Sequence, residues 1–420
     1  MHEKTEQILL YALFGSLGLL FGSLYWFYSH TPAFVDQAEI PTVLPTENRQ
    51  ETPAENSPDA SQGTQKTERQ RPWRLFGRST QLTLLGDTFS GQSLLRDPKF
   101  QRALASAELD FAYENELDQV VRLKRLGKDA DMVVTTLDQY LRQQPQGKIV
   151  GLVSQSTGAD ALVLNTRDYP ELTDLAQLQT LIETTHRDSY QLEFAFASDS
   201  PSEYLALALE VRHPGLSLSQ LRPQRYADAS EIWQALQTTE PGPVAMMLRD
   251  PYVTRAVEQG YTIAASSDSL PDPIISVIVA SDRVLKSAPE TVSVFLEVYY
   301  RHIDNDVRDA AELQAVVARD GSVAPQTGAV VLDHIDFFTA LEAQHWLSEG
   351  RLLAQARKVS AILAVTGQID RTPRNLQQLL DLQPIEQAAH NTSVLVELVE
   401  ADNPDLADEF KGLGNTVQTR

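Results

Sequence analysis

Residues 147–165 read GKIVGLVSQSTGADALVLN and contain two apolar runs rich in β-branched side chains. Such runs are typical of buried β-strands. The short polar stretch between them carries Ser156, Thr157 and Gly158, residue types that favour loops and turns. The stretch therefore predicts two strands joined by a polar loop.

Strands and helices alternate on both sides of this stretch, from Gln81 onward. Apolar runs such as ADMVVTT predict buried strands, whereas PKFQRALASA has the apolar spacing of a helix. Asp97 is placed to cap that helix and Pro98 to occupy its first position. This alternation predicts an α/β fold with mainly parallel sheets covered by helices on both faces. The sequence predicts more strands than one small sheet contains, which favours two lobes.

The C-terminal part of the sequence has a different character. Residues from about Ala310 to Leu382 predict an all-helical region, and the acidic segment after Pro384 either packs as one more helix or stays loose. Within this region, LDHIDFFTALEAQHWL is typical of an amphipathic helix. His334 and His345 are therefore interpreted as structural side chains.

Composition excludes several classes of function. The chain has 420 residues, 42% of them hydrophobic, and a net charge of -22 at pH 7. So acidic a surface repels nucleic acid and anionic lipid headgroups, which argues against a nucleic-acid partner. The absence of cysteine excludes disulfides, thiolate nucleophiles, iron–sulfur clusters and cysteine-type zinc sites.

The amino-terminal segment Ile8–Tyr28 is uncharged, ends in aromatic residues and is long enough to span a bilayer. It predicts an uncleaved transmembrane anchor, and the alternative is a cleaved signal peptide. Lys4 precedes the segment and the next basic residue is Arg49, which places the body of the protein outside the cytoplasm. His30 to Thr80 is rich in Pro, Thr, Glu, Gln and Ser and predicts a flexible linker.

The common catalytic motifs are missing from the sequence. It has no P-loop, no HExxH zinc motif, no GxSxG outside the apolar N-terminal segment and no GxGxxG after a strand. Its many acidic residues show no spacing that singles out an acid–base pair. The sequence predicts no enzymatic activity, no cofactor and no metal.

Small hydroxyl residues recur where predicted strands lead into helices. In an open α/β sheet these junctions lie at the carboxyl ends of strands, where ligands bind. Hydroxyl groups and free helix N–H groups can hold a polar or anionic solute there, but the same residues are also ordinary helix caps and turn residues. The junctions carry Thr88, Ser90 and Gly91; Thr135 and Thr136; Ser154, Ser156, Thr157 and Gly158; and Ser198, Ser200 and Ser202.

Several segments, in their order along the chain, resemble the solute-binding proteins of ABC importers, in particular the nitrate, sulfonate, taurine and thiamine-precursor branch. They are GDTFSGQSLLRDPKFQ, ADMVVTTLDQYL, GKIVGLVSQSTGADALVLN and SPSEYLALALEV. The resemblance implies a type II periplasmic-binding-protein fold, with two α/β lobes that close on a ligand around a hinge. Its enzyme relatives use a cysteine-rich motif and histidine ligands, and this chain has no cysteine.

The resemblance also implies a division of the chain, with a lobe boundary near Asn165 and a return near Pro273. The predicted parts are a transmembrane anchor (1–30), a linker (31–80), the first part of lobe 1 (81–165), lobe 2 (166–273), the return to lobe 1 with a helical region (274–385) and an acidic C-terminal segment (386–420).

Carried over to this sequence, the resemblance implies ligand-binding residues from both lobes. Lobe 1 contributes Thr88, Phe89, Ser90, Gly91, Thr135, Thr136, Asp138, Ser156, Thr157, Gly158 and Asp160, and lobe 2 contributes Asp199, Ser200, Ser202, Arg249 and Asp250.

The expected function is that of a solute-binding protein anchored in the bacterial inner membrane, with its body on the periplasmic side. It would capture a small polar or anionic solute between two lobes and present it to an ABC permease. The alternative is a membrane-tethered interaction or sensor subunit that reuses the binding-protein fold within a larger complex.

Overall fold

The computed structural model describes residues 81–187, 192–238 and 241–391, which form two α/β lobes. The strands are β1 (Leu82–Gly86), β2 (Phe111–Asn115), β3 (Met132–Thr136), β4 (Gly147–Ser156), β5 (Asp160–Leu164), β6 (Glu193–Ala197), β7 (Arg222–Tyr226), β8 (Ala245–Arg249), β9 (Thr262–Ser266), β10 (Ile274–Ser281) and β11 (Ile335–Phe337). The α-helices are α1 (Ser93–Arg96), α2 (Pro98–Ser106), α3 (Gln119–Arg125), α4 (Leu137–Gln143), α5 (Leu175–Arg187), α6 (Pro201–Arg212), α7 (Ala229–Leu236), α8 (Tyr252–Glu258), α9 (Asp282–Ser287), α10 (Pro289–Arg308), α11 (Ala310–Asp320), α12 (Pro325–Asp333), α13 (Ala340–Ser348) and α14 (Arg351–Val365).

Each lobe has its own mixed sheet. In the described residues the first sheet has the strand order β11-β4-β10-β3-β1-β2 and the second β7-β6-β8-β5-β9. Strands β10 and β11 run antiparallel to β4, and β5 runs antiparallel to β8 and β9. The prediction of mainly parallel sheets is therefore wrong in part, because β5 and β10 enter their sheets from the opposite lobe and so run against their neighbours.

The chain passes between the lobes twice. Strand β4 ends at Ser156 in the first sheet, and β5 begins at Asp160 in the second, so the switch precedes the predicted boundary at Asn165. The predicted boundary is misplaced because β5, which the sequence assigns to the first lobe, pairs with β8 and β9. The return strand β10 begins at Ile274, next to Pro273.

The predicted start of the first long helix is confirmed, since the Asp97 carboxylate accepts a hydrogen bond from the Lys99 backbone N–H and Pro98 is the first residue of α2. At α6 the Ser200 hydroxyl accepts a hydrogen bond from the Glu203 N–H. The Glu203 carboxylate, however, accepts from the N–H of Asp199 at 2.9 Å rather than from that of the capping residue.

The C-terminal region is not wholly helical. Residues 335–337 form β11, which pairs with β4 at the edge of the first sheet, and His334 is the residue that ends α12. The predicted helix over LDHIDFFTALEAQHWL is thus interrupted. Ile335 and Phe337 point into the core while Asp336 is exposed, a two-residue alternation too short to stand out against the helical pattern around it.

The predicted transmembrane segment Ile8–Tyr28 and the linker lie outside the described residues, as does the acidic segment beyond residue 391, whereas residues 383–391 are helical. Among the residues that are described, no helix is both long and apolar enough to cross a membrane.

A buried tyrosine supports an irregularity at the centre of the first lobe. The β4–β10 pairing shifts register between Leu152 and Ser154. The Tyr300 hydroxyl accepts from the Leu152 N–H at 2.9 Å and donates to the Leu152 carbonyl at 2.8 Å. Gly151 lets the ring approach, since a Cβ at this position would lie 3.0 Å from that hydroxyl oxygen.

Tyr300→Phe is expected to lower the free energy of unfolding by about 2 kcal/mol, because two buried backbone groups lose their partner. Its neighbour Tyr299 offers a matched control, since its hydroxyl is buried without a hydrogen-bond partner. Chemical denaturation should show Tyr299→Phe to be neutral or stabilising. Equal losses for the two variants would contradict the role given to Tyr300.

Candidate functional site

A small cavity lies between the lobes, where the carboxyl ends of β1, β6, β7 and β8 face each other. Its volume is about 30 Å³, which leaves room for about two water molecules. Six of the sequence-predicted residues line it: Thr88, Phe89, Ser200, Ser202, Arg249 and Asp250. The crevice outside the carboxyl ends of the strands is the usual ligand position in open α/β sheets.

Asp87 organises the wall that the first lobe contributes. Its Oδ1 accepts from the Phe89 N–H at 3.0 Å and from Gln92 Nε2 at 2.7 Å. Its Oδ2 accepts from Arg122 Nη2 at 3.0 Å and from Gln119 Nε2 at 3.2 Å. The loop after β1 is therefore folded around one buried carboxylate.

Arg122 is the charge partner of Asp87. Its side chain is fully buried, and it also donates to the carbonyl oxygens of Glu116 and Val134, each at 2.8 Å. Burial alone would raise the pKa of the Asp87 carboxyl, but Arg122 and Arg249 outweigh that effect and hold this pKa below its usual value. Asp87 is thus a fixed anion at the end of β1.

A second arginine fixes the same loop from outside the first sheet. Arg96 donates to the carbonyl oxygens of Asp87 and Phe89 and is paired with Asp320 of α11. Gly86, just before Asp87, is required by close packing, because a Cβ there would lie 2.0 Å from the hydroxyl oxygen of Tyr113. The loop that presents Thr88 and Phe89 to the cavity is therefore rigidly held.

Arg249 crosses the cleft from the second lobe. Its Nε donates to Asp160 Oδ1 at 2.7 Å, and its Nη1 lies 3.8 Å from Asp87 Oδ2. The centre of its guanidinium lies 3.8 Å from the centre of the Phe89 ring, a close cation–π contact between the lobes. Its Nη2 is buried and has no hydrogen-bond partner.

Two buried carboxyl groups lie behind this cluster. Burial raises the pKa of Asp160 above its usual value, although Arg249 acts in the opposite direction. Burial likewise raises the pKa of Asp138 to about 6, and its carboxylate accepts from Gln139 Nε2 at 3.0 Å. Neither group lines the cavity itself.

The second lobe contributes two helix starts to the wall. Ser200 caps α6, and Asp228 caps α7 by accepting from the N–H groups of Ser230 and Glu231 at 3.0 and 3.2 Å. Ser202, in the first turn of α6, is fully buried, and its hydroxyl has no hydrogen-bond partner. Ser202 thus lines the cavity and carries a buried hydroxyl without a partner in the protein.

Asp250 ties the lobes together beside the cavity. Its Oδ2 lies 2.7 Å from Nδ1 of His334 in the first lobe, and its carbonyl accepts from the Ser90 N–H at 3.3 Å. The hydrogen bond with Asp250 raises the pKa of His334 above its usual value, although partial burial lowers it. The neighbouring helix α8 adds a contact from Arg255 to the carbonyl of Gly321 at 2.5 Å.

On the opposite side of the cleft, Arg142 of the first lobe reaches Glu203 at 2.6 Å and Asp199 at 3.2 Å. Asp199 therefore lies at the rim of the cleft, where its carboxylate forms an ion pair with Arg142 of the other lobe. The two lobes are held in a closed arrangement from both sides.

The remaining predicted residues lie behind the cavity wall or at the crossing. The Thr135 hydroxyl donates to Gln119 Oε1 at 3.0 Å, and the Thr157 N–H donates to the His334 carbonyl at 2.9 Å. The Ser156 hydroxyl and the Gly158 N–H both contact the Ser267 hydroxyl, at 2.8 and 2.9 Å. Outside the lining as well are Ser90, Gly91, Thr136, Asp138, Asp160 and Asp199.

Nine lining residues were missed by the sequence analysis: Asp87, Leu117, Gln119, Ala197, Pro201, Ala227, Asp228, Ala229 and Tyr252. Asp87 directly follows β1 and Asp228 caps α7, so a search for every acidic residue at a strand end or helix start would have found both. Gln119 reaches the cavity only through the tertiary fold. In the described residues, no group of three or more His, Asp or Glu side chains is arranged to hold a metal ion.

No protein-family model matches this sequence, and a comparison with curated protein sequences finds no match. Solved structures do resemble it. The ligand-binding component of an ABC-type import system from Staphylococcus aureus, with zinc bound, aligns with a TM-score of 0.56 at 10% identity over 73% of this chain and 98% of that chain. The periplasmic aliphatic sulphonate binding protein of Escherichia coli aligns with a TM-score of 0.53 at 15% identity over 72% and 92%. The chain has the fold of the periplasmic binding proteins.

The periplasmic binding protein fold is not confined to binding proteins. A desulfurization enzyme aligns with a TM-score of 0.52 at 12% identity over 74% of this chain and 99% of that enzyme. Identities this low establish a shared fold and leave the activity to be argued from the site.

Arg122→Met is expected to lower the free energy of unfolding by about 3–5 kcal/mol, because it leaves Asp87 charged and buried without its partner. Arg125 lies on the same helix with its ion pairs at the surface, so Arg125→Met should cost less than about 1 kcal/mol. Urea denaturation measures both. A loss for Arg122→Met as small as that of the control would show that the pair with Asp87 is not essential.

The His334–Asp250 pair should make stability depend on pH. Because the folded-state pKa of His334 is raised, its contribution is complete below the unfolded pKa near 6.5 and is lost as the pH rises through the folded value. His334→Gln should therefore cost about 1 kcal/mol near pH 5.5 and less near pH 8.5. The control His345→Gln changes the same residue type outside this contact, and a pH-independent loss for His334→Gln would contradict the assignment.

Proposed function

We propose that this protein binds a small polar solute in the cleft between its two lobes. The cleft lies at the carboxyl ends of parallel strands in both sheets, and both lobes present polar side chains to it. The fold is shared with proteins whose names record ligand binding in ABC-type import and sulphonate binding. A binding role suits such a site because it requires enclosure and hydrogen bonds rather than a reactive group.

One observation carries this proposal. Ser202 Oγ and Arg249 Nη2 belong to residues that line the cavity, and both atoms are buried with no hydrogen-bond partner. Buried polar groups in folded proteins are nearly always hydrogen-bonded, so these two unpaired groups of the second lobe are available to bind a solute. A solute that accepts from Arg249 and exchanges a hydrogen bond with Ser202 would satisfy both.

The lobes have to separate for a solute larger than about two water molecules to enter, because the cavity measures about 30 Å³. The two connections between lobes, at residues 157–159 and 267–273, can act as a hinge. Opening would break the stacking of Arg249 on Phe89 and the contact of His334 with Asp250. A solute that enters would regain that energy by contacting both lobes.

We assign binding rather than catalysis because the side chains at the cavity include no activated nucleophile. The lining has no histidine to act as a base for its hydroxyl groups within the described residues, and the chain contains no cysteine. The fold alone does not decide this point, since the desulfurization enzyme has it too.

The finer role we propose is delivery of the solute to an ABC permease by a protein anchored through Ile8–Tyr28 at the periplasmic side of the inner membrane. The apolar segment and the predicted linker support this topology, because a flexible linker of about fifty residues would reach near 40 Å. Alkaline carbonate washing of membranes would test the anchor, because an anchored protein should stay in the membrane fraction and be released only by detergent.

A second candidate is an interaction or sensor subunit in which the cleft no longer binds solute. The small size of the cavity and the contact of Arg249 with Phe89 at its wall favour this candidate. Affinity purification from membranes separates the two roles, because co-purifying permease subunits support transport and a stable complex without them supports the subunit role.

Ser202→Ala is expected to weaken solute binding about tenfold while leaving stability unchanged or slightly raised, since its hydroxyl has no partner in the protein. Ser360 gives a matched control, because its hydroxyl is also buried and unpaired but lies in α14, away from the cavity. Calorimetry and thermal shift with nitrate, sulfonates, phosphate, bicarbonate, thiamine precursors and uncharged amides and sulfonamides supply the measurement. The binding proposal is abandoned if no compound binds the wild type, or if Ser360→Ala weakens binding as much as Ser202→Ala.

A further inference from the structure

The charges around the cavity are unusual for a site that would hold an anion. In the part of the chain that the structure describes, Arg249 is the one cationic side chain in the lining, and it shares the lining with Asp87, Asp228 and Asp250. An oxyanion placed here would meet three carboxylates and a single guanidinium. The other nearby cations are already engaged, since Arg122 is paired with Asp87 and His334 with Asp250.

Arg249 itself is also engaged. Asp160 lies directly opposite it in the β5–β8 register and is fully buried, so the sheet itself places the carboxylate at the guanidinium, with 2.7 Å between Oδ1 and Nε. Asp87 lies 3.8 Å away on the other side, and the Phe89 ring covers one face. Neither terminal nitrogen has a hydrogen-bond partner in the protein, since Nη1 lies 3.8 Å from Asp87 Oδ2 and Nη2 is buried without one.

This arrangement limits what Arg249 can do. Asp160 neutralises its charge, and Asp87, which is paired with Arg122, lies close by, while the terminal nitrogens of Arg249 can still donate to an uncharged acceptor. An incoming anion would be repelled by Asp160 and Asp87 at a few ångströms, where charges interact strongly because the surroundings exclude water.

We propose that Asp160 is a specificity-determining residue that keeps Arg249 from binding oxyanions, so that the cleft accepts an uncharged polar solute. This inference rests on the proposed solute-binding function and adds the class of solute to it. Asp160 acts through Arg249 rather than by touching the solute, since it lies outside the cavity lining.

The test uses two probes of the same shape, methanesulfonate and its uncharged analogue methanesulfonamide, measured by calorimetry near pH 7.5. The wild type should bind methanesulfonate no better than methanesulfonamide. Asp160→Asn keeps the size of the side chain and a hydrogen-bond acceptor but removes the charge. It should raise the affinity for methanesulfonate at least about tenfold and leave that for methanesulfonamide within about threefold.

Two variants separate this mechanism from a general change in charge. Asp228→Asn removes one negative charge from the same lining but leaves Arg249 paired, and asparagine caps helices as well as aspartate does, so its gain for methanesulfonate should be much smaller. The double variant Asp160→Asn with Arg249→Gln should lose the gain in affinity for methanesulfonate. Circular dichroism and thermal melting confirm folding, and Asp160→Ser replaces Asp160→Asn if the latter does not fold.

The inference is overturned if wild type prefers methanesulfonate, if the Asp160 variant shows no gain, or if Asp228→Asn shows an equal one. Its failure is distinguishable from failure of the solute-binding function. A wild type that binds sulfonates would retain the function and refute the solute class, whereas a wild type that binds no compound of the larger panel would refute the function itself. Even if the wild type bound nothing, the affinity of Asp160→Asn for methanesulfonate would still be compared with that of the double variant. This comparison would decide the role of Asp160.

Discussion

The buried ion pair of Asp87 and Arg122 is the interaction on which the cleft depends. Arg122 is anchored by two backbone carbonyls, and Asp87 in turn holds the loop that carries Thr88 and Phe89. Removing two charges from water is costly, and this cost is offset only when every remaining hydrogen-bonding position is used, as it is here by Gln92 and Gln119. A buried pair of this kind adds little net stability, but it holds the groups around it in one geometry. It fixes where the first lobe presents its side chains to the second.

Much of the architecture could be predicted from local patterns. The Asp97–Pro98 helix start and the fully buried strand over residues 132–136 follow from capping chemistry and apolar runs, which act over a few residues. The order of segments that resembles solute-binding proteins agrees with the fold found by structural comparison. Predictions that depended on local sequence alone were the reliable ones.

Predictions that depended on pairing partners were less reliable. β11 was missed because a strand of three residues between helices takes its identity from β4, to which it pairs, and not from its own sequence. The boundary at Asn165 was misplaced because nothing within ADALVLN shows which sheet its strand will join. Six predicted site residues line the cavity and ten do not, since hydroxyl groups at strand ends also serve as caps and lobe-to-lobe contacts. Asp87 was passed over because its role arises from Arg122, which is distant in sequence.

The position of β10 has a consequence for biosynthesis. This strand lies between β3 and β4 and pairs with both, yet it is made only after the whole second lobe. During synthesis β3 and β4 leave the ribosome early, and their facing edges stay unpaired until β10 is made. Strands β5 to β9, by contrast, form a sheet from one continuous stretch of the chain. Because contacts between neighbouring segments form faster than contacts between distant ones, we expect the second lobe to fold first. The amino-terminal lobe would then be completed last, when β10 enters between two strands synthesised long before it.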